Sequence, residues 1–258
     1  MPSKGVALVT GAGQGIGRAI ALRLADDGFE VAVNDTSADT LAEVVRALGE
    51  KACKSSMHVG DVSVDAQVRA MVEAVVKEHG GLDVMVANAG IVRWKAFLET
   101  TEDDWDTLFA VNAKGTFLCY KYAGAQMIAQ GRGGRIIGAC SVAGKRGSEN
   151  MAAYSATKFA IRSLTQSAAV EFGPHGITVN AYAPGAIETA LLQRLEDKNV
   201  AVNNAKPGEF LQALRDRAPV RFNGVPEDVA GLVSYLASKD SRFVTGQSIS
   251  CNGGIYFD

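Results

Sequence analysis

Short β-branched runs alternate along this chain with longer segments in which apolar residues recur at helical spacing. This alternation is typical of successive β-α-β units, and the mostly continuous apolar character of the short runs indicates strands covered on both faces. The predicted strands are residues 6–10, 31–35, 53–59, 84–88, 135–140, 178–183 and 248–251. The predicted helices cover about residues 16–27, 40–48, 66–78, 105–129, 153–172 and 227–237. Ser63 and Thr101 are predicted to cap two of them, because acidic residues follow and suit the helix dipole. We therefore predict an α/β fold with a parallel sheet and helices on both of its faces.

Residues 185–219 break this rhythm and are predicted to form a substrate loop or lid within the domain. The segment is polar, contains two short helix-like stretches, and lies between a predicted strand and a helix that starts at Pro226. The sequence contains no internal repeat, low-complexity tract or linker. Residues 1–258 are therefore predicted to form a single domain.

Composition and charge are those of an ordinary water-soluble globular protein. Of the 258 residues, 47% are hydrophobic and 21% are charged, and the formal net charge is -2. The sequence has no Lys/Arg cluster, so a nucleic-acid partner is not expected. The apolar run before Gly11 is too short for a signal peptide or a membrane span, which favours a cytoplasmic location without membrane association.

The cysteines do not form a recognisable ligand or redox pattern. They stand far apart and give neither a CxxC pair nor a Cys/His spacing suited to zinc. Their positions are Cys53, Cys119, Cys140 and Cys251. We therefore predict buried free thiols in a reducing compartment, and no metal site.

A glycine-rich turn, TGAGQGIG, follows the first predicted strand and precedes a helix. Glycines in this context let the backbone approach a pyrophosphate, which the free N–H groups and the dipole of the helix N-terminus attract. The spacing is GxxxGxG with an additional glycine at Gly13, and so departs from GxGxxG. A turn that simply packs a helix against a strand is the alternative. The residues expected to contact a dinucleotide here are Gly11, Gln14, Gly15, Ile16 and Gly17.

Asp35, at the end of the second predicted strand, indicates whether the predicted site binds NAD or NADP. A carboxylate at this place can accept hydrogen bonds from the adenosine ribose hydroxyls, and its charge would repel a 2′-phosphate. Neither arginine nor lysine occurs at Gln14, Thr36 or Ser37 to neutralise such a phosphate. NAD is therefore favoured over NADP, although a solvent-facing aspartate that starts a turn is the alternative for Asp35 alone.

Tyr154 and Lys158, in YSATK, share one face of a predicted helix because they are four residues apart. A phenol ionises near pH 10, but a neighbouring ammonium and the positive ring of an oxidised nicotinamide are expected to lower the pKa of Tyr154. The phenol would then remove the hydroxyl proton of an alcohol, and in reverse donate it to a carbonyl oxygen. Ser141, after the fifth predicted strand, would hold the same oxygen. Exposed Tyr/Lys pairs and turn-capping serines are the alternatives.

Together these motifs resemble the short-chain dehydrogenase/reductase superfamily over essentially the whole chain, from TGAGQGIG to the NGG at residues 252–254. Asp61 and Val62 match its adenine-contacting DV pair, and ANAG at residues 87–90 matches NNAG. Asn112, in VNAKG, matches an asparagine that in the family supports a water relay to the active-site lysine. PGAIET at residues 184–189 is similar to the family's PG motif, which contacts the nicotinamide carboxamide.

The resemblance implies site residues, fold and assembly. The implied catalytic residues are Asn112, Ser141, Tyr154 and Lys158. The implied cofactor contacts, beyond the glycine turn and Asp35, are Asp61, Val62, Asn88, Gly90, Tyr154, Lys158, Pro184, Gly185, Ile187 and Thr189. The implied fold is a single Rossmann domain with seven parallel strands in the order 3-2-1-4-5-6-7, and the implied assembly is a homotetramer.

The substrate prediction is a small vicinal diol or hydroxyketone, such as acetoin or diacetyl. Within the superfamily the run ALVTGAGQGIGRAIALRLADDGFEVAV and the later TGQS are most similar to acetoin/diacetyl reductases, also called 2,3-butanediol dehydrogenases. Val142 is a departure, because those enzymes tend to carry glutamine directly after the serine. The predicted substrate contacts are Trp94, Ser141, Val142 and Tyr154. The wider pocket is predicted from residues 142–151, Arg93 and the lid, with Arg93, Lys145 and Arg146 either attracting an anion or simply solvated.

Three other functions remain open at this point. An NADPH-dependent 3-oxoacyl carrier-protein reductase is disfavoured by Asp35. A sugar-alcohol or hydroxysteroid dehydrogenase would differ in its pocket, and a steroid would require a wide apolar one. A catalytically silent dinucleotide-binding scaffold is disfavoured because binding alone does not need all four implied catalytic residues.

Overall fold

The computed structural model describes residues 3–203 and 205–258, and these residues build one parallel sheet of seven strands. The strands are β1 Val6–Thr10, β2 Glu30–Asp35, β3 Ser55–Val59, β4 Val84–Ala87, β5 Gly134–Ala139, β6 Ile177–Pro184 and β7 Ser248–Cys251. Their order is β3-β2-β1-β4-β5-β6-β7, and every pairing is parallel. The predicted Rossmann architecture and strand order are confirmed.

The helices follow the predicted pattern, and the two helix-like stretches expected in residues 185–219 are present as helices. They are α1 Gly15–Asp26, α2 Ala38–Glu50, α3 Asp65–His79, α4 Glu102–Leu108, α5 Gly115–Gln130, α6 Ala152–Phe172, α7 Ala190–Asn203, α8 Glu209–Arg217 and α9 Pro226–Ala237. The single helix predicted over residues 105–129 is wrong in one respect, because a π-helical stretch, Phe109–Lys114, separates α4 from α5. That stretch carries Asn112, and such insertions frequently occur at functional sites.

The two predicted N-caps differ in outcome. Thr101 caps α4 in a reciprocal capping box with Asp104, as predicted. The prediction for Ser63 is wrong: the N-cap of α3 is Val64, whose side chain makes no capping bond. The Ser63 backbone N–H instead donates to the Asp61 carboxylate over 2.8 Å, which forms a turn before the helix.

Apolar side chains cover both faces of the sheet, which explains why its strands read as continuous apolar runs. On one face, α1, α2 and α9 pack residues such as Ile20, Leu41 and Val233 against alternate strand positions. On the other face, α3 and α5 contribute residues such as Val72 and Leu118. Cys119 and Cys140 are buried, as predicted, whereas Cys53 and Cys251 are partly exposed because they lie at the sheet margins; all four thiols are free.

The strand order reverses direction between β1 and β4, and the loops that follow their carboxyl ends frame a crevice. In open α/β sheets, ligands bind at such a switch point. The glycine turn follows β1, Asp35 ends β2, Asn88 follows β4, and Ser141 follows β5. Residues distant in sequence are therefore brought to one edge of the sheet.

Candidate active site

The glycine turn has the shape that a bound pyrophosphate requires. Gly11 and Gly15 have φ angles of +61° and +53°, in the left-handed region that favours glycine. A Cβ on Gly17 would lie 2.1 Å from the Gly11 carbonyl oxygen, so this position accepts no side chain. Gln14, the N-cap of α1, makes no side-chain capping bond, which leaves the first N–H groups of the helix available to an anion. These features fit a dinucleotide phosphate.

Asn88 fixes this turn from the neighbouring strand. Its amide nitrogen donates to the Thr10 and Gly11 carbonyl oxygens over 2.9 and 3.0 Å, and its amide oxygen accepts from the Tyr182 hydroxyl over 2.7 Å. Asn88 also lines the cleft, but its side chain is committed to bracing the turn. The sequence interpretation missed Tyr182, although a tyrosine inside a buried strand needs a hydroxyl partner and was a usable signal.

Asp35 is tied to the glycine turn through Gly13. One carboxylate oxygen accepts from the Gly13 backbone N–H over 3.0 Å, and the other accepts from the Thr36 N–H over 2.8 Å. A carboxylate has about four lone-pair positions, so acceptor capacity remains for hydroxyl donors. The side chain is partly exposed and lines the cleft. The arrangement fits a ribose diol at this edge.

The other predicted cofactor residues line the same cleft of about 1000 Å³. Asp61 and Val62 lie beyond β3, on the side of Asp35, and Gly90 lies beyond β4. At the opposite end lie Pro184, Gly185, Ile187 and Thr189. A Cβ atom on Gly15 would lie 3.5 Å from the Thr189 Cγ2 atom. Residues 184–189, which contain the PG motif, therefore face the glycine turn across the cleft.

Tyr154, Lys158 and Ser141 meet in the middle of this cleft. The Lys158 ammonium lies 5.4 Å from the centre of the Tyr154 ring, and it donates to the Ala139 carbonyl oxygen over 2.6 Å. The Ser141 hydroxyl lies close enough to the Tyr154 phenol to lower its pKa. Ser141 is itself fixed, because its hydroxyl accepts from the Ala143 N–H over 3.1 Å. The predicted common face of Tyr154 and Lys158 is present.

The protein's own groups move the pKa of Tyr154 against the direction expected from the sequence. Burial of the phenol raises its pKa to about 12, and the hydrogen bond with Ser141 opposes this rise. Burial lowers the pKa of Lys158 to about 8. In the protein alone, burial thus outweighs the effect of Ser141, and the expected lowering of the phenol pKa by Lys158 together with an oxidised nicotinamide stays a prediction for the cofactor complex.

Asn112 lies behind the lysine, fully buried in the π-helical stretch. Its side chain bonds both backbone groups of Ile91, each over 2.9 Å, and donates to the Thr157 hydroxyl over 3.1 Å. A Cβ on Gly90 would meet the Asn112 amide oxygen at 3.3 Å and the Lys158 ammonium at 3.6 Å. Gly90 therefore lets these two side chains approach one another.

The substrate side of the cleft carries both apolar and polar residues, the latter including Glu149 and Arg217. Trp94 and Val142 line it, as does Arg146. Residues 185–219, the predicted lid, contribute several lining residues that the sequence interpretation did not single out: Leu191, Leu192, Leu195, Phe210 and Leu214. Nothing in the polar composition of the lid distinguished these positions, because their common orientation depends on how α7 and α8 pack.

Two cations that the sequence interpretation assigned to the pocket lie elsewhere. Arg93 pairs with Asp104 over 3.1 Å and does not line the cleft. Lys145 is buried and pairs with Asp258, so it is not a cation available to an anionic substrate. Both predictions failed for the same reason. Each cation forms an ion pair with a carboxylate that the fold brings close, and its sequence neighbours do not reveal that partner.

The sequence as a whole matches known proteins. A family model described as enoyl-(acyl carrier protein) reductase matches residues 11–256. A short-chain dehydrogenase/reductase of Armillaria gallica is 52% identical over 98% of this chain and 96% of its own length. A diacetyl reductase [(S)-acetoin forming] of Staphylococcus epidermidis is 40% identical over 97% and 98%. A 3-oxoacyl-[acyl-carrier-protein] reductase of Staphylococcus aureus is also 40% identical, over 97% of each chain.

A solved structure agrees with these relatives. The crystal structure of a short-chain type dehydrogenase/reductase from Mycobacterium marinum has a TM-score of 0.91 and 34% identity, covering 99% of this chain and 97% of that one. Fold, site geometry and relatives together define a nicotinamide-dependent oxidoreductase. The chain belongs to the short-chain dehydrogenase/reductase family.

Proposed function

We propose that this protein is an NAD(H)-dependent oxidoreductase that interconverts a secondary alcohol and a ketone, with Tyr154 as the acid and base. The observation that carries the proposal is the meeting of the Tyr154 phenol, the Ser141 hydroxyl and the Lys158 ammonium in the dinucleotide cleft. When bound, the nicotinamide supplies or accepts hydride at its C4 atom. Tyr154 exchanges the proton with the substrate oxygen, and the Ser141 hydroxyl holds that oxygen.

Lys158 and Asn112 support the phenol without touching the reacting oxygen. The Lys158 ammonium, 5.4 Å from the Tyr154 ring, favours the phenolate by charge and is in position to donate to a cofactor ribose. Asn112 holds Ile91 and Thr157 beside this lysine, and the family resemblance implies that it supports a water relay from Lys158 to solvent. The complete set supports an enzyme rather than a silent scaffold.

The direction of the Tyr154 pKa shift predicts the pH dependence. With a pKa of about 12, the phenol keeps its proton at neutral pH and can donate it during reduction. Oxidation needs the phenolate. At any pH well below the pKa, the phenolate fraction increases tenfold for each unit by which the pH is raised. The positive ring of the oxidised cofactor is expected to bring this pKa down in the complex, so we expect kcat/KM for alcohol oxidation to increase from about pH 6 to pH 8. The rise should become shallower above about pH 8 as Lys158 loses its charge.

Steady-state assays of oxidation across this pH range, at saturating cofactor, measure the profile. Reduction of the matching ketone, measured in the same buffers, is the internal control and should not rise with pH. Oxidation that is flat or falls between these pH values would contradict the assignment of the phenol as base.

NAD(H) is the cofactor that Asp35 supports. Its charge would lie against a 2′-phosphate, and like charges in contact cost several kcal/mol. The Asp35→Asn variant should therefore raise the ratio of kcat/KM with NADPH to kcat/KM with NADH by at least about tenfold. Asp39→Asn removes an exposed carboxylate four residues away, in the first turn of α2, and is the matched control. An unchanged ratio in Asp35→Asn would count against NAD(H) selection by this residue.

A small hydroxyketone or diketone, such as acetoin or diacetyl, is the first substrate proposal. It is supported by the diacetyl reductase relative. The equally similar 3-oxoacyl carrier-protein reductase keeps a thioester-linked ketone as an alternative. Asp35 argues against that alternative as far as it implies NADPH.

A larger apolar alcohol or ketone, such as a hydroxysteroid, is a second candidate that one observation favours. Leucines and a phenylalanine of the predicted lid, together with Val142 and Trp94, form an apolar part of the cleft, which Arg146, Glu149 and Arg217 also line. Apolar walls gain more from covering an apolar ligand than from a small diol, at roughly 25 cal/mol per Å² buried. This part of the cleft could thus accept the apolar body of a steroid.

The test is a substrate panel of diacetyl, acetoin, polyols, oxoacyl thioesters and steroids, each with NADH or NADPH for the ketones and NAD or NADP for the alcohols. The first proposal predicts that diacetyl or acetoin has the largest kcat/KM, with the NAD(H) form preferred. A preference for steroids supports the second candidate. Turnover of none of these carbonyls or alcohols would contradict the proposed reaction class.

We further propose a homo-oligomer acting in the cytoplasm, with a tetramer as the family resemblance implies. Phe117 of α5 and Phe159 of α6 are 46% and 43% exposed, and Trp105 of α4 is 44% exposed. Exposed aromatic side chains on adjacent helices support a protein interface. Among the described residues, no helix is long and apolar enough to cross a membrane. Light scattering of the purified protein measures the assembly.

A further inference from the structure

Lys145 carries a buried ammonium whose function the proposed reaction does not explain. Its side chain is 1% exposed, and it donates to the Ser250 hydroxyl over 3.0 Å and to the Asp258 carboxylate. Removing one partner of such a pair leaves a buried charge without compensation, which is strongly unfavourable. The ammonium therefore fixes the position of Asp258 firmly, although the Asp258 side chain itself is 51% exposed.

The backbone of Lys145 belongs to the turn that positions Ser141. This turn is a short 3-10 helix, Val142–Gly144, and Ser141 is its N-cap. The Lys145 N–H donates to the Val142 carbonyl oxygen over 3.0 Å, and the Gly144 N–H donates to the Ser141 carbonyl oxygen over 2.9 Å. A shift of Lys145 would therefore be transmitted through two hydrogen bonds to the residue whose hydroxyl faces Tyr154.

Asp258 lies at the end of a segment, residues 252–258, that we call the tail. The Asn252 side chain organises it, donating to the Tyr256 carbonyl oxygen over 2.9 Å and accepting from the Gly254 N–H over 2.8 Å. The Tyr256 hydroxyl donates to the Lys145 carbonyl oxygen over 3.4 Å. The tail is thus attached to the Ser141 turn at two points, a side-chain ion pair and a backbone carbonyl.

The tail also reaches the cleft and the lid. Ile255 lines the substrate side of the cleft. The Val220 N–H, just beyond the lid, donates to the Gly253 carbonyl oxygen over 3.4 Å. A single seven-residue segment therefore connects the far end of the lid, a wall of the substrate cleft and the turn that carries Ser141.

We propose that Lys145 and Asp258 are positioning residues for the reaction: their ion pair holds the tail against the Ser141 turn and so keeps the Ser141 hydroxyl aligned with Tyr154. The proposal rests on the proposed function, because it assigns Ser141 a part in catalysis. Neither residue contacts the dinucleotide side of the cleft. The pair should consequently affect turnover far more than cofactor binding.

The test compares Asp258→Asn with the wild type in kcat, KM and the NADH dissociation constant. Asparagine keeps the shape of the side chain but leaves the buried ammonium without its counter-charge. We expect kcat to fall at least about tenfold, because small displacements of catalytic groups are costly. The NADH dissociation constant should stay within about twofold. Asp240→Asn, which removes an exposed carboxylate in the loop after α9, is the matched control and should leave kcat unchanged.

A double variant separates positioning from general stability. In Lys145→Met with Asp258→Asn, both charges are removed together, so no buried charge remains and the turn can settle again. We expect this double variant to recover at least about half of the kcat that Asp258→Asn loses. A purely structural role predicts instead that Asp258→Asn lowers the melting temperature while folded enzyme keeps its wild-type kcat.

Unchanged kcat in Asp258→Asn, or a double variant whose kcat is lower than that of Asp258→Asn, would overturn the proposal. These outcomes are distinguishable from failure of the proposed function. If the wild type turns over none of the panel substrates, or if Tyr154→Phe is fully active, the proposed function fails regardless of Asp258.

Discussion

We expect kcat of the Tyr154→Phe variant to be at least about a thousandfold lower than that of the wild type, for oxidation and for reduction alike. The variant should still bind NADH with wild-type affinity. The substitution removes one hydroxyl and keeps the ring that packs beside Lys158. Without that oxygen, no group of the chain can pass a proton to or from the substrate oxygen at the same place. Ser141 lies beside the phenol, but an aliphatic hydroxyl is a weaker acid than a phenol and is a poor substitute for it.

The measurement is steady-state turnover of the best panel substrate, together with NADH binding followed by fluorescence. Tyr122→Phe is the matched control, because the Tyr122 hydroxyl bonds the Asp65 carboxylate at the surface, away from the cleft. The control should keep full activity. Undiminished turnover in Tyr154→Phe would refute the assignment of acid and base, whereas loss of NADH binding would show that the variant disturbs the cleft and not chemistry alone.

The sheet could be predicted because its signals are local and repeated. The inner strands are short apolar runs buried on both faces, which leaves little ambiguity about them, whereas the edge strands β3 and β7 are more polar and partly exposed. The glycine turn and the helix face shared by Tyr154 and Lys158 depend on spacing alone, which a sequence displays directly. Asp35 could be placed for the same reason, since it ends a strand whose neighbour carries the turn.

The features that sequence did not predict depend on contacts between distant segments. The pKa of Tyr154 is set by how deeply the folded chain buries the phenol, and spacing carries no information about that depth. Arg93 and Lys145 were assigned to the pocket as loop cations. Arg93 instead pairs with a carboxylate 11 positions away, and Lys145 with one 113 positions away. The π-helical stretch around Asn112 likewise needs its partners, Ile91 and Thr157, to be in place.

Among substitutions in the cleft, we expect one at Gly17 to weaken cofactor binding more than one at any polar residue. The Gly17→Ala variant should raise the NADH dissociation constant at least about a hundredfold, because no side chain fits where the new methyl group would lie. A Cβ there would stand 2.1 Å from the Gly11 carbonyl oxygen and 2.5 Å from the Asn88 amide nitrogen. The start of α1 would have to move away from the turn, and with it the N–H groups that would bind the pyrophosphate.

Gly49→Ala is the matched control, since a Cβ on Gly49 in α2 meets nothing within 4 Å. Alanine in a helix is favoured over glycine by about 1 kcal/mol, so this control should unfold at the same or a slightly higher temperature and bind NADH normally. NADH titration and thermal unfolding of both variants make the comparison. A folded Gly17→Ala protein that binds NADH like the wild type would mean that the dinucleotide does not depend on this turn. The cofactor site, and the reaction proposed around it, would then have to lie elsewhere.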